Sequence, residues 1–166
     1  VGSTELFLKM DKVSQIALVV HDVRASVKHF WDELGVGPWN IWELDHRTMN
    51  DMTLYGKPAE YSFRVAMTSI GDVAIELVQP LKGNSIFSEF LEKKGGGLHH
   101  LKYKVPDTEA VLNDFKKTGG RILQSARIGE GSFYYLDTED KFGFIIELST
   151  GRALGAKSPD EIYPPQ

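Results

Sequence analysis

The stretch QIALVVHDVRASVKHFWDELGVG, beginning at Gln15, lies without a gap over HLKYKVPDTEAVLNDFKKTGGRI, beginning at His100. At this offset of 85 residues Val20 falls on Val105, Asp22 on Asp107, Ala25 on Ala110, Phe30 on Phe115 and Gly35 on Gly120. A repeat constrains a fold more than any single element does, because one structural solution must serve both copies. A second pair, MTSIGDVAIEL from Met67 and TEDKFGFIIEL from Thr138, matches at an offset of 71 and places Glu76 on Glu147.

Each copy reads as a strand followed by a helix. Ile16, Leu18 and Val20 alternate with Gln15, Ala17 and Val19, the period of a strand with two different faces. Asp22 and Asp107 stand where a helix N-cap is needed, and Val23, Val27, Phe30, Trp31 and Leu34 then recur at helical spacing up to Gly35. Two further strands fit before each terminal IEL strand, around WNIWEL and YSFRVAM in the first copy and RILQSARI and SFYYLDT in the second. The chain is therefore expected to be α+β, built from two βαβββ modules. The boundaries are an N-terminal extension at 1–11, a first module at 12–80, a linker at 81–96, a second module at 97–150 and a C-terminal extension at 151–166. The two offsets differ by 14 residues, which places extra chain within 45–60 of the first module, where binding is expected to be tuned. The tail is expected to lie extended, over a partner subunit.

Composition narrows the function. The 166 residues contain no cysteine, so disulfides, thiolate metal sites and a cysteine nucleophile are excluded. A net charge of −4 argues against general nucleic-acid binding, and no apolar run approaches the roughly 18 residues that span a bilayer. The segment VGSTELFLKM lacks the layout of a signal peptide, so the chain reads as cytoplasmic.

The repeat singles out Gln15 with His100 and Glu76 with Glu147. Their neighbours Ile16, Leu18, Leu101, Tyr103, Ile75, Leu77, Ile146 and Leu148 belong to the helix-covered side, so the four polar residues face the other way, into the space that the curved sheet encloses. Two ionised carboxylates there repel each other and are poorly solvated. One divalent ion offsets both, with neutral histidine and the glutamine amide oxygen completing a set suited to Zn, Ni, Co or Mn.

On these segments, together with VAIELVQPL, GGGLHHLKYKV and GFIIELS, residues 12–150 resemble the vicinal oxygen chelate superfamily of glyoxalases, epimerases, extradiol dioxygenases and bleomycin-resistance proteins. The resemblance implies a cup-shaped mixed sheet around the metal, ligands at Gln15, Glu76, His100 and Glu147, and a homodimer. The run IELVQPLKGNSIFSEFLEKKGGGLHHLKYKV is similar to methylmalonyl-CoA epimerases, whereas the donor order Gln, Glu, His, Glu resembles zinc-type glyoxalase I. The expected reaction is proton abstraction α to a carbonyl through an enediolate, on a small carbonyl substrate. The alternatives are a glyoxalase-type lyase, a lyase or decarboxylase acting on an aromatic substrate, and a metal-free ligand-binding or resistance protein whose two glutamates pair with Lys102 and Arg64.

Three groups compete for the base: Glu147, Glu60 and Lys102. Glu60 lies 16 residues before Glu76, close to the spacing of the catalytic glutamate in epimerases, and Lys102 shares a strand face with His100. Trp39, Trp42, Tyr55, Phe63 and Arg64 are the candidate pocket residues, and their rings favour an apolar or ring-containing substrate portion. His99 is expected to point to the helix layer or a subunit contact.

Overall fold

The computed structural model describes residues 8–151, 154 and 157–165, so most of the N-terminal extension lies outside the described residues. The first module comprises β1 (Val13–Val19), α1 (Val23–Leu34), β2 (Trp39–Leu44), β3 (Asn50–Leu54), β4 (Lys57–Pro58), β5 (Ser62–Ile70) and β6 (Val73–Lys82). Helix α2 (Ile86–Lys94) links it to β7 (Gly97–Tyr103), α3 (Thr108–Lys117), β8 (Ile122–Ile128), β9 (Gly131–Leu136), α4 (Glu139–Phe142) and β10 (Ile145–Thr150); β11 (Glu161–Tyr163) follows. All the strands join one mixed sheet in the order β11-β2-β5-β6-β1-β7-β10-β9-β8-β3-β4. Each module contributes the same arrangement, its first strand beside its last, then its third, then its second. The two first strands meet antiparallel at the centre.

The helices form as the caps dictate. Asp22 and Asp107 accept the backbone N–H of Ala25 and Ala110 at 3.1 and 2.9 Å. The apolar stripe of α1 (Val23, Val27, Phe30) packs on Leu18, Ile75, Leu77, Ala66, Trp39 and Ile41, and that of α3 (Leu112, Phe115) on Tyr103, Ile146 and Leu148. Each fully buried aliphatic or aromatic side chain here contributes about 1.5–3 kcal/mol, so the helices hold the convex side of the sheet and leave its concave side for the site.

Three segments depart from simple repetition. The extra residues of the first module do not form a lip on the cavity. They make the β3–β4 hairpin, which turns through Tyr55 and Gly56, both at positive φ, and pairs with β8 of the second module. Conversely, β11 from the tail pairs with β2 of the first module of its own chain. The outer strand of the second module is thus covered by the first module's hairpin, and that of the first module by the C-terminal extension, which protects both edges and ties the halves together. The linker, finally, is itself structural. Ser85 caps α2 in a reciprocal box with Ser88, and Phe87 and Phe90 enter the concave core beside Phe63, Tyr135 and His99.

The chain enters β7 through Gly95, Gly96 and Gly97, all at positive φ; a Cβ on Gly96 would lie 2.9 Å from the Val19 carbonyl oxygen. This close approach sets β7 against β1.

Candidate metal centre

Four central strands aim the repeat-matched residues at one point. Gln15 on β1, Glu76 on β6, His100 on β7 and Glu147 on β10 are all buried, His100 completely. His100 Nε2 lies 3.2 Å from Glu76 Oε2 and 3.1 Å from Glu147 Oε2. Gln15 Nε2 donates to the same two oxygens at 2.8 and 3.3 Å. One ligand atom each from Glu76, His100 and Glu147 falls within 4.8 Å of the others.

The donor set fits a divalent ion. His100 Nε2 is buried close to both carboxylates yet makes no aligned hydrogen bond to either, so it is directed at the common point rather than at one partner. Gln15 presents its amide nitrogen to the carboxylates; as a ligand it would offer the oxygen of the same amide, the two ends being exchangeable by turning the group over. The cluster could therefore hold a metal through Glu76, His100 and Glu147, with Gln15 as the fourth donor.

The electrostatics are organised without the ion as well. Burial alone would lower the pKa of His100, but Glu147 and Glu76 outweigh it and raise the imidazole to about 9. Lys102 Nζ sits 3.6 Å from Glu147 Oε1, and that carboxylate raises the lysine pKa. Burial pushes the carboxyl of Glu147 up, but Lys102 and His100 overcome it and hold it below the usual range. Two carboxylates are then balanced by one ammonium and one imidazolium. The need for a metal to neutralise them, expected from the sequence, is met in part by Lys102.

The register also gives each glutamate its flanks. Glu76 lies between Ala17 on β1 and Met67 on β5; Glu147 lies between Lys102 on β7 and Tyr135 on β9. Lys102 occupies in the second module the place that Ala17 holds in the first. Tyr135, whose phenol burial holds far above its usual pKa, packs edge-on to the His100 ring at 4.9 Å.

The cluster opens on a cavity of about 420 Å³ lined by Gln15, Glu76, Lys102, Tyr135 and Glu147, with Trp42, Leu44, Phe63, Met67, Phe133 and Leu154 forming its apolar walls. Of the expected pocket residues, Trp42 and Phe63 line it and three do not. Trp39 is buried on the helix side against Phe30, its indole N–H donating to the Val36 carbonyl at 2.7 Å. Arg64 points to the same side, bound to Gln79 and Glu43, and so pairs with neither glutamate of the cluster. Tyr55 is exposed on the β3–β4 hairpin, donating to Glu89 under the Arg121 guanidinium.

Glu60 is away from the cavity too. Its carboxylate is 75% exposed and lies 3.2 Å from His46 Nδ1, which leaves Glu147 and Lys102 as the base candidates inside. His99 departs from expectation in the opposite direction. In the β1–β7 pairing Ala17 faces His100 and Leu18 faces Leu98, so His99 is the extra residue of a β-bulge. The bulge brings both histidines inward, Nδ1 to Nδ1 at 2.8 Å, and sets His99 against Phe87 and Phe90. Burial holds the His99 imidazole well below its usual pKa, so it is the neutral neighbour of the pair.

Comparison with known proteins agrees with this architecture. Residues 14–136 match the model of the Glyoxalase/Bleomycin resistance protein/Dioxygenase superfamily. The human mitochondrial methylmalonyl-CoA epimerase is 32% identical over 157 residues, covering 81% of this chain and 89% of that protein. The ethylmalonyl-CoA/methylmalonyl-CoA epimerase of Cereibacter sphaeroides is 25% identical over 142 residues, covering 82% and 96%. Among solved structures, a variant of Streptomyces coelicolor methylmalonyl-CoA epimerase in complex with 2-nitronate-propionyl-CoA superposes with a TM-score of 0.61 at 22% identity, over 91% of this chain and all of that one. A doubled βαβββ cup with its matched polar residues converging at the centre, and a family match over most of its length, place this chain in the Glyoxalase/Bleomycin resistance protein/Dioxygenase superfamily.

Proposed function

We propose that the chain is a metal-dependent isomerase of the epimerase type, removing and returning a proton at a carbon next to a carbonyl, with acyl-CoA thioesters of the methylmalonyl class as substrates. The observation that carries the reading is the position of Glu147, which belongs to the donor cluster and also stands in the cavity beside Lys102. When bound, a divalent ion, one of Zn, Ni, Co or Mn, supplies Lewis-acid stabilisation of the charge that develops on the carbonyl oxygen. The chain's own residues do the rest. Glu76, His100 and Glu147, with Gln15, would hold the ion; Glu147 is also the proton acceptor, Lys102 keeps that carboxylate ionised at neutral pH, and return of a proton to the opposite face of the planar carbon completes the inversion.

The acid–base groups sit on β6, β7, β9 and β10, while the flanking strands β2, β5 and β8 present Trp42, Leu44, Phe63, Met67 and Ile128. These apolar walls exclude water around the reacting carbon and accept an acyl chain. The relatives' names support the thioester assignment, because both the human and the Cereibacter sphaeroides proteins are epimerases of malonyl-CoA derivatives. Incubation of metal-loaded protein in deuterium oxide with one methylmalonyl-CoA epimer tests it. Solvent deuterium at C2 together with formation of the other epimer is expected; exchange with the hemithioacetal of glutathione and methylglyoxal instead would move the chain to the lyases.

A further inference from the structure

A second cavity, of about 330 Å³, adjoins the first and shares Gln15, Ser69, Ala74 and Lys102 with it. Its remaining lining is polar: the two cations Lys12 and Lys104, with Ser14 and Asp72. Lys104 follows Lys102 on the same side of the chain, residues two apart in an extended segment projecting alike. Among the described residues no carboxylate forms an ion pair with Lys104, while Lys12 spends its ammonium partly on Asp72 at 3.4 Å and Lys102 on Glu147 at 3.6 Å. With Lys102 balanced by Glu147, the two lysines Lys12 and Lys104 face one aspartate, which leaves this lobe with one cation in excess in a chain whose net charge is −4. Lysines crowded around a cleft repel one another, and an anion offsets that repulsion.

We infer that the second lobe is an oxyanion subsite, in which Lys104 and Lys12 bind a carboxylate or phosphate carried by the same molecule whose carbonyl enters the first lobe. The subsite deepens the function proposed above and rests on it only for what the anion is attached to. Spacing limits that molecule. Lys104 lies four residues beyond His100, roughly 13 Å along an extended chain, so the anion it binds is separated from the reacting carbonyl by several bonds. It is a distal group, distinct from any carboxylate on the reacting carbon.

Calorimetric titration of metal-loaded protein at low ionic strength, with inorganic phosphate in one arm and acetate in the other, tests the inference. One saturable site per chain is expected, weakened by added salt and about tenfold weaker in Lys104→Gln, with a smaller loss in Lys12→Gln because Asp72 already engages that ammonium. The tighter of the two anions identifies the distal group. Both substituted positions lie at the surface, so circular dichroism should show an unchanged fold. Binding that ignores both lysine substitutions, binding that vanishes with the metal but not with the lysines, or no saturable binding would each overturn the subsite. Metal-free protein that still takes phosphate through Lys104 supports it, and would leave only the carbonyl chemistry in question.

Discussion

The two modules build the same half-site and then furnish it differently. In the first, Glu76 stands between Ala17 and Met67, side chains that carry no charge and donate no proton. In the second, Glu147 stands between Lys102 and Tyr135. Duplication therefore supplies the matched donors, while the flanking residues divide the tasks. In the function proposed above, Glu76 serves as a ligand and Glu147 as a ligand that also takes up the proton. An arrangement symmetric in its donors and asymmetric in their surroundings can hold an ion and carry out directional chemistry at one point.

Substitutions can break that comparison in order of severity. His100→Ala should abolish metal uptake with the fold retained, a larger effect than the roughly 10–100-fold loss that follows removal of a group outside the ligand set. Competition against a metallochromic chelator would show it. Glu147→Gln and Glu76→Gln should then separate. The first is expected to cost about 10²–10⁴-fold in solvent-deuterium exchange even at saturating metal, whereas exchange in the second should recover as metal is raised. Equal behaviour of the two would remove the division of labour. Lys102→Ala makes the second half-site resemble the first. It should move the acidic limb of the exchange profile upward in pH, because the carboxyl of Glu147 loses the ammonium that holds its pKa down.

The pH dependence of the metal-free protein is a further difference between the halves. The His100 pKa rises from 6.5 to about 9 on folding. The folded state therefore binds that proton more tightly than the unfolded chain does. Its contribution is fully present below pH 6.5 and is lost as pH rises through about 9. Chemical denaturation of metal-free protein should show stability falling across that window by a few kcal/mol at most. Metal binding requires the unprotonated ring, so the stabilisation by metal should grow over the same range. The smallest effect belongs to Glu60→Gln, which is expected to leave exchange unchanged, since its carboxylate faces solvent and His46.

Much of this was legible in the sequence. The two capped helices, the module order and the four converging donors follow from the repeat and from strand alternation. Two misplaced pocket residues were also open to that logic. Trp39 and Trp42 are three apart and must face opposite sides of β2, and Arg64, between the inward Phe63 and Val65, must face the helices. Other features were hidden for physical reasons. The bulge at His99 leaves no composition signal, because the slipped residue and the neighbour that enters the cluster are both histidine. Pairing of β3 with β8 and β11 with β2 depends on which sheet edges remain open after folding, which no local pattern records. Tyr135 was missed because β9 and β10 are joined through α4, whereas β5 and β6 meet in a short turn at Gly71 and Asp72. The offset of 71 that aligns the glutamates therefore fails just upstream of them.

The central claim is that the cup binds one divalent ion between its two glutamates. Metal analysis of the protein purified without chelator, then stripped and titrated with Co(II) while released protons are counted at pH 7.5, addresses it directly. The structure predicts one ion per chain and net release of close to one proton as the His100 ring gives way, both lost in His100→Ala. A chain that takes up no ion, its carboxylates remaining balanced by Lys102 and the imidazolium alone, would contradict it.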